Sequence, residues 1–145
     1  MAAMTEPDAA PGAPATTLGR LASLVKLSHT IFGLPFTLAA GILAHRATLD
    51  HGLGDGDGMT WIELVWIIVA FTGARTTAMG FNRIVDRKID ARNPRTASRE
   101  LPAGTVSVRA AWLLTVVAAA LFVAAAAALG PVALAFSPLC LLIIC

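Results

Sequence analysis

Charge is scarce in this chain of 145 residues. Lys, Arg, Asp and Glu make up 14% of it, against about a quarter in an ordinary soluble domain, so the composition excludes a soluble globular fold. Cysteine is scarcer. Cys140 and Cys145 lie five apart in an apolar run, match no zinc, haem or redox spacing, and read as lipid- or core-facing filler. The opening stretch does not read as a signal peptide, because the first 17 residues are rich in Ala, Pro and Thr and carry Glu6 and Asp8 without a Lys or Arg. That stretch reads as a disordered tail, drawn as residues 1–19, ahead of an apolar domain at 20–145. A calcium loop is missing too. The run Gly52-Leu53-Gly54-Asp55-Gly56-Asp57-Gly58 faintly resembles one, but Met59 stands where the EF-hand pattern wants Asp or Asn, which leaves a flexible turn.

What the chain has in place of charge is long apolar runs, with a mean hydropathy of +0.73. Leu27 to Ala44, Trp61 to Phe81 and Ala110 to Leu129 each have about the 20 residues needed to cross a bilayer. A fourth run begins near Pro131 and continues to Cys145, where 15 residues at about 1.5 Å each fall short of a hydrocarbon core of about 30 Å. The expected fold is all-α, a multi-span transmembrane helical bundle. Its partner is a lipid bilayer and not a nucleic acid. Of the 11 Lys and Arg, seven (Arg83, Arg87, Lys88, Arg92, Arg95, Arg99 and Arg109) fall between the second and third spans, and Arg20 and Lys26 precede the first. The positive-inside rule therefore puts the N-terminus and the 83–109 loop in the cytoplasm of a multi-pass inner (plasma) membrane protein. Trp61 and Trp112 fall near span ends, where aromatic belts lie. The alanine runs at 118–120 and 124–128 read as a packing surface for neighbouring helices.

One stretch carries chemistry. At the end of the second span, Asn82, Asp86 and Asp90 stand at i, i+4 and i+8, so on a helix they form a short acidic ridge at the membrane surface. Soft ligands are absent there. Such a ridge suits Mg²⁺, a hard cation that binds through one or two carboxylates and takes its other ligands from substrate phosphates and water. A lipid-soluble diphosphate is the substrate class this suggests. The competing reading is a solvated helix end with local salt bridges, since Arg83, Arg87 and Lys88 lie among the acids.

The chain continues Ala91-Arg92-Asn93-Pro94-Arg95-Thr96-Ala97-Ser98-Arg99-Glu100-Leu101-Pro102-Ala103-Gly104. Asn-x-x-x-Asp-x-x-x-Asp followed by Arg-Thr-x-x-Arg-x-Leu-Pro-x-Gly closely resembles the UbiA superfamily of intramembrane aromatic prenyltransferases. The resemblance covers the chain from about Leu24 onward. Lys26-Leu27-Ser28-His29-Thr30-Ile31-Phe32-Gly33-Leu34-Pro35-Phe36 resembles its 4-hydroxybenzoate polyprenyltransferase-like branch, which includes the naphthoate prenyltransferases of the futalosine route to menaquinone.

The resemblance implies a nine-helix fold around a central cavity, with two aspartate motifs that together hold Mg²⁺ and the diphosphate of a polyprenyl donor. Of these nine helices the chain supplies three spans and a truncated fourth. Its nine acidic residues include no second motif, so it reads as the N-terminal half of such an enzyme (a partial gene, a truncated chain or a split protein), inactive without its C-terminal half. The implied activity is Mg²⁺-dependent transfer of a polyprenyl group to an aromatic acid of the 4-hydroxybenzoate type in ubiquinone or menaquinone biosynthesis. Alternatives are 1,4-dihydroxy-6-naphthoate, a chlorophyll- or haem-type acceptor, or a noncatalytic membrane subunit. Asn82, Asp86 and Asp90 are the implied metal ligands, with the two aspartates catalytic. Arg83, Arg95 and Arg99 are the diphosphate contacts, where the other reading is plain cytosolic anchoring. Arg75 lies within about 20° of the Asn82 and Asp86 face at about 100° per residue, and is the expected acceptor or diphosphate contact; a structural ion pair or snorkelling is the other reading. Lys26 and His29 could meet the acceptor carboxylate, or serve as an anchor and a local hydrogen-bonding group.

Overall fold

The computed structural model describes residues 16–25, 27–50 and 59–145, with the backbone alone at 17, 27–30 and 48. Five helices follow in order: α1 (Thr17–Leu24), α2 (Leu27–Asp50), α3 (Trp61–Asp90), α4 (Val108–Leu129) and α5 (Pro131–Ile144), with no strand among the described residues. Of these, α3 and α4 are long and apolar enough to cross a membrane, while the apolar stretches Ile31–Ala47 and Pro131–Ile144 are shorter. At 30 residues α3 is about 45 Å long, more than a hydrocarbon core of about 30 Å. With its apolar stretch 61–81 in the bilayer, the turns from Asn82 onward stand outside.

Two helix boundaries differ from the sequence-based expectation. Helix α2 runs on through His45 to Asp50, because that segment contains no breaker and the apolar run ends without ending the helix. Helix α1 starts at Thr17, inside the segment 1–19 assigned to the tail; the Thr16 side chain accepts a hydrogen bond from the Gly19 N–H at 3.2 Å, which caps it. Residues 1–15 lie outside the described residues. The charge inside the second span, Glu63, turns out to be half of a capping box: it accepts the Thr60 backbone N–H at 2.7 Å, and the Thr60 hydroxyl accepts the Glu63 N–H at 3.2 Å.

The bundle centres on α3 and α4, which run antiparallel in close contact. Gly73 faces Ala118 and Phe122, and Gly80 faces Thr115, so the small residues of each helix admit the other. Buried hydroxyls in this seam bond back to their own helix, Thr77 to the Gly73 carbonyl and Thr115 to the Ala111 carbonyl, each at 2.8 Å. Of the alanine runs, Ala118, Ala125 and Ala126 are buried in packing while Ala120 and Ala124 face outward. Trp112 meets the Phe81 ring edge-on at 6.2 Å. Gly130, at φ 133°, a value that disfavours any side chain, turns the chain from α4 into α5.

Large apolar side chains point outward along every long helix, among them Phe32, Phe36, Trp61, Leu113 and Leu142. Leu24 is the one large side chain fully buried among the described residues, an arrangement suited to lipid or further helices and not to water. The exception to this outward pattern is a compact cluster at the loop end, where Leu24 and Val25 of the α1 region meet Leu101, Val106 and Ala111.

Candidate functional site

Successive steps of four residues on an α-helix turn about 400°, so each member of the acidic ridge is rotated about 40° from the last. Asn82 and Asp86 remain neighbours. Asp90, about 80° round from Asn82, turns instead toward the loop 91–107 and is 7% exposed, whereas Asn82 and Asp86 are exposed. The ridge therefore divides into two chemically distinct parts.

The first part is a polar cavity of about 210 Å³ lined by Met79, Asn82, Arg83, Asp86 and Arg99. Among the described residues no ion pair or hydrogen bond engages the Asp86 carboxylate. Its oxygens are open to a ligand, beside two guanidinium groups that match phosphate geometry. No group of three His, Cys, Asp or Glu side chains lies together among the described residues. An all-protein cage for a cation is thus not what these residues form. Asp86 with Asn82 fits Mg²⁺ in its other mode, in which one or two protein oxygens hold the ion and phosphate and water complete the octahedron.

The second part is an ion pair. Arg99 Nη1 donates to both Asp90 carboxylate oxygens at 2.9 Å, and Arg83 Nη1 stands 4.0 Å away. The loop wraps this pair: the Thr96 hydroxyl donates to the Asp90 carbonyl at 3.0 Å, and the Asn93 side chain accepts the Arg95 N–H at 3.0 Å. Burial pushes the Asp90 carboxyl up, but hydrogen bonds from Arg99 and Thr96 and the charges of Arg99 and Arg83 outweigh it and hold the group below its ordinary value. A depressed carboxyl stabilises the fold above its unfolded value of about 3.9 and loses that contribution as pH falls through the folded value. Asp90→Asn is therefore expected to lower the melting temperature near neutral pH, with the gap to the unaltered protein closing below about pH 4. Melting curves at pH 7 and pH 3 measure this; a gap that stays constant would mean that the charge of Asp90 contributes nothing.

Among the described residues, the other expected site residues, Arg75 and Arg95, do not line the cavity. Arg95 is exposed on the loop and does not line it. Arg75 shares the angular face of Asn82 but lies seven residues, about 10 Å, further along α3. Its guanidinium carbon is 5.8 Å from the centre of the Phe71 ring, and its Nε is buried with no hydrogen-bond partner among the described residues. Lys26 lies outside the described residues, as does the side chain of His29. Met79 is a lining residue that the ridge pattern does not reveal, although its i−3 spacing from Asn82 places it on that face.

A family model described as the UbiA prenyltransferase family matches residues 33–145, which include the cavity, the ion pair and the loop. The chain belongs to the UbiA prenyltransferase family. The apo structure of a UbiA homolog from Aeropyrum pernix K1 is 39% identical in sequence, with a TM-score of 0.69 over 81% of this chain. The match covers 38% of that homolog, so the chain spans well under half of its length. No curated protein matches the chain. Membership of this membrane-embedded family agrees with the outward-facing apolar surface of α3 and α4 and with their length.

Proposed function

We propose that the protein transfers a polyprenyl group from a polyprenyl diphosphate to an aromatic acid, of the 4-hydroxybenzoate or 1,4-dihydroxy-6-naphthoate type, in quinone biosynthesis. The observation that carries this reading is the cavity itself: a carboxylate with no ion-pair partner among the described residues, an amide and two guanidinium groups sit together just beyond the apolar stretch of α3. A diphosphate head in that cavity leaves its prenyl tail free to run back among apolar side chains.

Asp86, with Asn82 beside it, would hold Mg²⁺, and Asp90 could join them once Arg99 leaves it. When bound, the ion neutralises charge that grows on the diphosphate as the allylic C–O bond breaks. Arg83 and Arg99 donate to phosphate oxygens and stabilise the same charge through hydrogen bonds. The acceptor attacks the allylic carbon through a ring carbon ortho to its hydroxyl and then loses the proton from that carbon. Water must be excluded, since it would quench the allylic cation. Arg75, whose buried Nε has no partner among the described residues, is suited to the acceptor carboxylate, and Lys26 and His29 complete the proposal. Arg95 is a weaker diphosphate contact than Arg99, being exposed and outside the cavity lining. The second aspartate motif that the reading requires is not among residues 1–145, and turnover by this stretch alone is not expected.

The test uses the full-length gene product in lipid with Mg²⁺, labelled polyprenyl diphosphate and each aromatic acid in turn. Release of diphosphate together with a prenylated acid is expected; absence of both with either acid would sink the reading.

In this reading the cavity faces the cytoplasmic side of the plasma membrane, because Lys and Arg crowd the segment before α2 and the loop after α3. Single cysteines at Ser98 and Gly54, with Cys140 and Cys145 replaced, report this with an impermeant thiol reagent on intact cells. Gly54→Cys should label and Ser98→Cys should not. The reverse pattern would invert the topology.

A further inference from the structure

The loop 91–107 is joined to more than α3. Leu24, fully buried, and Val25 at the end of α1 form the core cluster with Leu101 and Val106 of the loop and with Ala111. Met79 packs against that cluster and also lines the polar cavity, so the two share a wall. Polar contacts reinforce the docking: Arg20 Nη1 donates to the Thr105 carbonyl at 3.3 Å, and the Ser23 hydroxyl donates to Glu100 Oε1. Glu100 follows Arg99 directly. Its backbone carbonyl accepts the N–H groups of Thr105 at 3.0 Å and Val106 at 3.2 Å, so the loop doubles back at this residue.

Glu100 is an awkward neighbour for a phosphate site. A carboxylate free to swing beside Arg99 would repel the diphosphate and compete for the guanidinium, because like charges a few ångströms apart disfavour each other. We propose that α1 is a positioning element for the diphosphate cavity, in which Ser23 holds the Glu100 carboxylate toward α1 and thereby leaves Asp90 as the carboxylate that diphosphate has to displace from Arg99. Ser23 and Glu100 are positioning residues that touch no substrate. The inference rests on the diphosphate reading given above and adds to it an element that precedes the matched residues 33–145.

The test is binding of inorganic diphosphate with Mg²⁺ to the full-length protein in lipid nanodiscs, read by calorimetry, with the donor KM as a second readout. Ser23→Ala should weaken binding about fivefold and raise the donor KM by a similar factor, the equivalent of one hydrogen bond of ~1 kcal/mol, with the acceptor KM unchanged. Ser23→Ala combined with Glu100→Gln should restore both values, since the swinging charge is gone. Ser23→Thr, which keeps the hydroxyl, should behave as the unaltered protein. Loss in Ser23→Ala that Glu100→Gln fails to rescue would overturn the charge argument. Unchanged affinity in Ser23→Ala would overturn the role of α1 while leaving the diphosphate reading intact, and absence of diphosphate binding by the unaltered protein would overturn both.

Discussion

Asp86→Asn is expected to lower prenyl transfer at least about a hundredfold, equivalent to roughly 2.7 kcal/mol of lost transition-state stabilisation, while leaving the melting temperature unchanged. Asparagine keeps the shape of the side chain and removes its charge. Because no ion pair or hydrogen bond engages this carboxylate among the described residues, the fold loses nothing with it. A metal and diphosphate in the cavity, by contrast, lose their anionic anchor. Asp90→Asn should separate from it in a two-way comparison, reducing turnover and lowering stability together, since Arg99 would be left without the carboxylate it grips through both oxygens. Arg87→Ala, outside the cavity lining, should be much milder than either. Near-normal turnover of Asp86→Asn at saturating Mg²⁺ would remove the ligand assignment. An Asp86→Asn variant that melts early would show instead that the side chain supports the fold.

Local periodicity explains which parts of this architecture could be read from sequence. The spans corresponding to α3 and α4 are uninterrupted apolar runs, and the spacing of Asn82 and Asp86 put them on one helical face, as the cavity has them. Four-residue spacing alone does not carry Asp90 along, because about 40° accumulates at each step. Its partner Arg99 lies across an irregular loop whose path depends on hydrogen bonds such as Thr96 to the Asp90 carbonyl, and no periodicity encodes those. Helix α1 was hidden differently. Residues 16–25 carry a cap in Thr16 and apolar residues at Leu18, Leu21, Leu24 and Val25, a helical spacing, but the alanine- and proline-rich composition just before them gives no sharp boundary between tail and helix. Arg75 shows the limit of angle without height: helical periodicity gives its face, but its rise along α3 puts Phe71 beside it instead of the cavity.

Gly73→Leu should separate α3 from α4 and cost about 3 kcal/mol or more, with the protein failing to run as a monodisperse species in mild detergent. A Cβ at Gly73 would stand 2.9 Å from the Ala118 carbonyl oxygen and 3.1 Å from the Phe122 nitrogen. Both are backbone atoms of α4, so no side chain can rotate to make room and the helices themselves have to move apart. Lipid offers no hydrophobic drive to hold them together once the close packing is lost. Gly73→Ala should show the same effect at smaller scale, the clash of about 1–3 kcal/mol being offset in part by about 1 kcal/mol of helix propensity gained. Gly80 provides the contrast. Its Cβ would overlap the Thr115 hydroxyl, a buried group held by the Ala111 carbonyl, but would clear the α4 backbone, with the Thr115 Cβ 3.4 Å and the Thr115 Cα 3.8 Å away; Gly80→Ala alone should therefore destabilise, and Gly80→Ala with Thr115→Ala should be nearly tolerated. Melting curves of the four variants in one detergent test the argument. Equal losses at Gly73→Ala and at Gly80→Ala with Thr115→Ala would mean that the seam yields as a whole and that the backbone contact at Gly73 does not set the distance between the helices.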